Sequence, residues 1–392
     1  MGRAEDSTLL PLVKTGAVPF EVLHERYGGL LELVRTLIGV VPNCDPYLEI
    51  WPPAFRTYNV LVPNFLNLPF TVWGLGAPKE ILGLALYAAS RTAGCMYCSA
   101  HTCSFALRRG AAPDEVARAG GDDLSGLSAA GRAAVEVARA LSGTRSKLTD
   151  AHREELEAQL PGAGAEWIVL GIGMMGFLNK FMDGLGVELE PSTVDEVSAL
   201  ISPSGWSPGK HLDGEHREAK GEPPSADGLW TKARVLRHAP GALALDKKWT
   251  RGVPDRWPQV GEYLKQHTGH DFPVLSRLTR RRAIRALATM LRDNLDAAAS
   301  VIGVPVKVAA GIVFARATGD GVLESQLRTL GTAQSDPRVE ALAHAIAPSP
   351  VRLSREVVEQ CRGMSPAAIV EVVTFVSLKQ LLHRVEGYYA PA

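Results

Sequence analysis

The sequence predicts an all-α protein made of two tandem, diverged helical units. Three observations carry that reading. Apolar residues recur at three-and-four spacing in one segment after another. Alternating apolar and polar runs closed by hairpin turns, which would mark strands, are absent. Segments 165–181 and 369–385 also follow one pattern, an apolar helix ending in a polar-basic pair, Asn179-Lys180 and His383-Arg384.

The elements follow in order. Segment 47–75 is apolar but interrupted by prolines, which predicts an irregular wrapper carrying Trp51, Tyr58 and Trp73, and a lid over any nearby site. In 79–92, Ile81, Leu82, Ala85, Leu86 and Ala89 form one helical stripe that Gly94 ends. A second helix spans 96–109, with Gly110 placed to cap it. Residues 129–142 and 150–159 read as amphipathic helices, and 165–184 as a nearly all-apolar, buried one. From about 190 to 255 Pro, Gly, Ser and charge dominate, which predicts a linker over 191–255 between a domain at 1–190 and another at 256–392. Periodicity resumes near 259 and runs to 387. Ser146-Lys147-Leu148-Thr149 parallels Val351-Arg352-Leu353-Ser354, each supplying an N-cap hydroxyl, so the repeat is roughly 150 residues long.

Length and composition narrow the setting. A chain of 392 residues suffices for two cores. Lys+Arg and Asp+Glu both number 42, so no basic excess points to nucleic acid or to an anionic membrane. The first residues lack a basic stretch followed by an apolar core, and the apolar runs at 58–72 and 165–182 are interrupted by Pro, Asn, Gly or Lys. A cytoplasmic protein without a membrane span is expected. Five cysteines, an odd number, do not make a disulfide framework.

Chemistry concentrates in Gly94-Cys95-Met96-Tyr97-Cys98-Ser99-Ala100-His101-Thr102-Cys103. Cys95 falls at a helix start, where unpaired N–H groups favour a thiolate. Cys98 lies one turn in on the same side, and the Cys-x-x-Cys spacing suits a reversible disulfide. His101, one turn further, can take a proton from Cys98. Cys103 faces elsewhere. Three readings stand: a redox dithiol, a zinc site using Cys95, Cys98, His101 and a distant ligand, or inert buried thiols. A second Cys/His pair at zinc spacing is missing. Tyr97, Trp73 and Met174 are candidates for a substrate pocket.

Other signals carry less. Gly171-Ile172-Gly173-Met174-Met175-Gly176, with Glu188 and Glu190 downstream, spells a dinucleotide fingerprint. A real one sits in a strand–helix–strand unit, so these glycines read instead as close-packing positions on a buried helix. The His, Asp and Glu residues of 211–217 read as solvated linker charges, and Cys44 and Cys361 as structural.

A helix, Gly94, Cys95-Met96-Tyr97-Cys98, His101 one turn on and a helix ending Arg108-Arg109-Gly110 resemble the alkylhydroperoxidase D / carboxymuconolactone decarboxylase family. Phe177-Leu178-Asn179-Lys180 is similar to that family's closing helix. The resemblance covers about 45–185 well and 259–387 weakly. It implies an all-α fold, a homo-oligomer, and peroxidase chemistry with neither cofactor nor metal. By that resemblance Cys98 attacks a hydroperoxide, Cys95 resolves the sulfenic acid to a disulfide, His101 relays protons, and a dithiol partner restores the thiols. The family histidine falls four residues after the second cysteine, where this chain has Thr102. The family's relay glutamate falls at Gly83, which leaves Glu80, one turn earlier, as the candidate. Segment 319–331, the counterpart of the cysteine run, has neither Cys nor His, so the second unit is expected to lack the site. The resemblance also allows a lyase or isomerase with His101 as acid/base, and the thiols alone allow a redox sensor without turnover.

Overall fold

Prolines at helix starts and glycines at helix ends punctuate the chain. The computed structural model describes residues 7–212 and 223–390. Among these it holds nineteen α-helices and no strand, so the protein is all-α. The N-terminal layer comprises α1 (Leu10–Val13), α2 (Phe20–Ile38), α3 (Asp45–Leu48) and α4 (Pro52–Phe65). The proline-rich 47–75 segment is thus largely helical. Pro52 and Pro53 open α4, where fixed φ is pre-organised and no hydrogen bond is lost.

α5 (Lys79–Ala93) and α6 (Met96–Arg108) form an antiparallel hairpin. Gly94 ends α5 in the left-handed region at φ 72°, where a side chain is strained. Gly83 explains how close the two helices lie. A Cβ there would stand 2.7 Å from the Ala106 Cα, so a glutamate at this position would force them apart.

α7 (Pro113–Gly120), α8 (Ala129–Ser142) and α9 (Asp150–Gln159) lead to α10 (Ala163–Leu185). α10 runs unbroken through its glycines and Lys180 for 23 residues. It is long and apolar enough to cross a bilayer, yet 94% of its most apolar stretch is buried inside the protein. The fingerprint glycines are indeed packing positions. A Cβ at Gly171 would meet Leu82 and Leu86 of α5, and one at Gly176 would stand 2.9 Å from the Gln380 carbonyl oxygen.

Segment 191–255 is not a plain linker. α11 (Pro191–Ile201) packs on α6, and α12 (Leu229–Trp249) packs on α2 through facing glycines, Gly29 and Gly241. Pro240 and Gly241 inside α12 break the sequence periodicity without breaking the helix. Then follow α13 (Gln259–Thr268), α14 (Arg281–Leu295), α15 (Val304–Thr318), α16 (Gly321–Thr329), α17 (Pro337–Ile346), α18 (Arg355–Cys361) and α19 (Pro366–Tyr389). α14 lies on α4, where Asn294 donates to the Thr57 hydroxyl at 2.9 Å. α19 lies along α10. The apolar core therefore runs continuously through both regions.

Candidate active site

Cys95 caps α6, its Sγ accepting the Cys98 N–H at 3.3 Å. Both thiols are free and buried. Cys98 lines a cavity of about 110 Å³, while Cys95 sits behind it at 0% exposure. The remaining walls come from α2 (Leu33, Leu37), α4 (Tyr58, Val62) and α10 (Met174, Leu178). Tyr97, His101 and Thr102 join Cys98 on the α6 side. A space of this size and polarity holds a compact apolar group, as apolar cavities of similar volume do. Of the 47–75 segment, Tyr58 and Val62 form part of the cavity wall.

Glu190 completes the cluster. It stands at the N-cap position of α11, in the short turn after α10 ends at Leu185, and that turn brings it back over α6. His101 Nε2 lies 2.7 Å from Glu190 Oε2. The Tyr97 hydroxyl donates to Oε1 at 3.0 Å, and the Asn43 N–H donates to it at 2.6 Å. Burial works to raise the Glu190 pKa, but His101 and the Asn43 N–H outweigh it and hold the carboxyl below its usual range. Burial likewise raises Tyr97, which stays a hydrogen-bond donor. Burial also pushes the Cys98 thiol well up, and the Cys95 sulfur adds to that. For Cys98 the pull of the helix start is thus outweighed.

No family model and no curated protein matches this chain. Solved structures that resemble part of it include two of one protein. The apo form of the debrominase Bmp8 has a TM-score of 0.41 at 21% identity, covering 48% of this chain and 96% of that one. A cysteine-to-alanine variant of Bmp8 in complex with 2,3,4-tribromopyrrole has a TM-score of 0.38 at 20% identity, covering 48% and 95%.

Of the residues singled out in the sequence, Cys95, Cys98, His101, Tyr97 and Met174 are brought together. Glu80 and Trp73 are not. Because α5 and α6 are antiparallel, Glu80 lies beside Gly110, at the opposite end of the hairpin from the thiols. Trp73 is 38% exposed and lines no part of the cavity. Cys44 is not remote: it is fully buried in the loop that supplies Asn43, Glu190 acts on it electrostatically, and it acts in turn on the Cys98 thiol. His211 is buried, its Nδ1 2.7 Å from the Val187 carbonyl and its Nε2 3.4 Å from Asp183. The rest of 213–217 lies outside the described residues. Among the described residues, no three His, Cys, Asp or Glu side chains converge to hold a metal ion.

Glu190 was legible only as a downstream acid. Its partner His101 is 89 residues away, and local spacing carries no signal across such a gap. The buried cations Lys180 and Arg384 were visible as a repeated pair, but not as neighbours of the thiols.

Proposed function

We propose that this protein is a cofactor-free, cysteine-based peroxidase acting on compact apolar organic hydroperoxides. It would be the redox branch of the alkylhydroperoxidase D-like proteins that its cysteine segment resembles. One observation carries the reading: Cys98 opens onto an apolar cavity with a second thiol behind it and a His101–Glu190 pair beside it.

The chemistry balances as follows. Cys98 gives its proton to His101, whose Nε2 is engaged by Glu190. The thiolate attacks the outer peroxide oxygen, the O–O bond breaks, and the alkoxide takes the proton from His101. Cys98 is left as a sulfenic acid. Cys95 attacks that sulfur, the S–O bond breaks, and water leaves with the Cys95 proton. The net change is one hydroperoxide and two thiols to one alcohol, one water and one disulfide. Glu190, held ionised, keeps His101 oriented through its 2.7 Å contact with Nε2. Tyr97 fixes Glu190 from the other side. A carboxylated lyase substrate is less well served, since no Lys or Arg among the described residues lines the cavity.

The test is sulfenic-acid trapping with dimedone after addition of cumene hydroperoxide. In Cys95→Ser the adduct is expected on Cys98, in stoichiometric yield. In Cys98→Ser no adduct is expected. A label on Cys95 or Cys103 in place of Cys98 would contradict the assignment.

A further inference from the structure

We propose that Lys180 and Arg384 stabilise the negative charge that forms on the Cys95 sulfur when an external thiol reduces the Cys95–Cys98 bridge, which makes Cys95 the leaving group. The inference rests on the dithiol reading above and assigns the reductive half of the cycle.

Lys180 and Arg384 are 1% and 0% exposed. Among the described residues, neither has a carboxylate within ion-pair distance. The acid nearest Lys180 along its helix, Asp183, is taken by Lys210 at 2.8 Å, by His211 and by the Val351 N–H at 3.1 Å. Lys180 Nζ donates instead to the Ala347 carbonyl at 2.9 Å, to the Pro348 carbonyl, and to Ser349 Oγ at 3.0 Å. Arg384 donates to the carbonyls of Ile172 at 3.1 Å and Ser142 at 3.4 Å, and its Nε has no partner. A buried cation held only by neutral dipoles is costly, so an anion close by is favoured.

The thiols are that anion's place. Pro350, which follows the Lys180 cradle, packs directly on Gly94, so the cradle adjoins Cys95. Cys95 acts electrostatically on both cations, and Cys98 on Arg384. Burial and then Arg384 pull Lys180 down to about 7, opposed by Asp183 and next by Cys95; burial pulls Arg384 down to about 9, opposed by Cys98 and next by Cys95. The two sulfurs also differ in access. Cys98 lines the cavity and Cys95 does not, so an incoming thiolate meets Cys98.

The step then runs in one direction. A reductant thiolate attacks the Cys98 sulfur, the S–S bond breaks, and its electron pair goes to Cys95. A thiol leaves faster as its pKa falls, so cations beside Cys95 speed this step. A second reductant thiolate attacks the mixed disulfide and frees Cys98. Two reductant thiols end as one disulfide, and their two protons end on the protein dithiol. Lys180 and Arg384 are positioning residues here, acting through Cys95.

The experiment uses the full chain carrying Cys98→Ser, which leaves Cys95 without its partner. The rate of Cys95 alkylation by iodoacetamide is followed against pH, with the adduct mapped by mass spectrometry. Adding Lys180→Met or Arg384→Met is expected to move the alkylation midpoint upward by about one to three pH units. Lys180→Arg and Arg384→Lys are expected to restore it, which a purely structural role would not require. Should the Arg384→Met chain not fold, Lys180→Met and Arg384→Lys decide the matter. An unmoved midpoint in Lys180→Met, or a midpoint raised as far in Arg384→Lys as removal of the charge requires, overturns the proposal. No peroxide enters the experiment, so a protein inert to hydroperoxides still tests it.

Discussion

Two helix starts in this molecule share a backbone frame and differ in the side chain that caps the helix. Gly94 ends α5 at φ 72° and Cys95 caps α6; Gly319 ends α15 at φ 73° and Asp320 caps α16. The capped N–H belongs to Cys98 in the first case, at 3.3 Å, and to Leu323 in the second, at 2.9 Å. Of the repeated polar-basic pairs, Lys180 and Arg384 both adjoin the first start, while His383 serves the second. His383 Nδ1 lies 2.7 Å from Asp320 Oδ2, so the second start is tied to its core helix by a carboxylate. At the first, α10 turns methionines toward an open cavity. At the second, α19 carries Lys379, packed 4.4 Å from the Phe375 ring, and Glu386, whose carboxyl burial raises to about 8. A cap must accept an N–H, and a carboxylate does that better than a sulfur. A sulfur at that position therefore points to chemistry, and the comparison separates the reacting start from the structural one.

The comparison breaks first at Cys98. Cys98→Ser is expected to abolish both bridge formation and hydroperoxide consumption, whereas Leu323→Ser should leave both unchanged in whatever fraction folds. Thiol titration after peroxide addition distinguishes them. Next come the proton groups. Glu190→Gln and His101→Gln should each slow thiol loss by about 10²-fold, and His383→Gln should not slow it. Rapid-mixing kinetics read this, and equal slowing in all three would dissolve the distinction between the two regions.

Stability changes follow. Gly176→Ala places a Cβ 2.9 Å from the Gln380 carbonyl oxygen, and such overpacking costs about 1–3 kcal/mol. His383→Ala strips Asp320 of its partner, at about 1–3 kcal/mol. Denaturant unfolding measures both, and peroxide reactivity at 25 °C is expected to survive in each.

The last effect is a pH dependence beside the site. Asp45 is buried, its Oδ1 has no hydrogen-bond partner, and burial followed by Glu190 raises its pKa from 3.8 to about 8. Between those values the folded state holds a proton that the unfolded state has lost. Stability from this position is therefore present below 3.8 and declines as pH rises toward 8. Asp45→Asn removes the titration, so the variant's Tm should gain on the natural protein as pH rises from 4 to 8. A Tm difference independent of pH would contradict the assignment.

Much of this was legible in the chain. The helical periodicity at 79–92, 129–142 and 165–184, and the stop at Gly94, describe the helices the fold contains. The Cys95, Cys98 and His101 grouping also holds, because a single helix carries all three. What the sequence hid is tertiary. Glu190 reaches His101 only because α10 returns the chain across α6. Glu80 lies on the proper helix but at its far end, and hairpin direction cannot be read from spacing. Pro52 and Pro53 signalled irregularity and instead start a helix, since proline is tolerated in a first turn. α12 was masked by Pro240 and Gly241, which its packing on α2 accommodates.

The central claim is that Cys95 and Cys98 form the reacting pair. It is tested most directly by counting thiols, with peptide mapping, on reduced protein before and after one equivalent of an organic hydroperoxide. The account predicts rapid loss of two thiols, mapped to a Cys95–Cys98 bridge and absent in Cys98→Ser. Survival of all five thiols would contradict it.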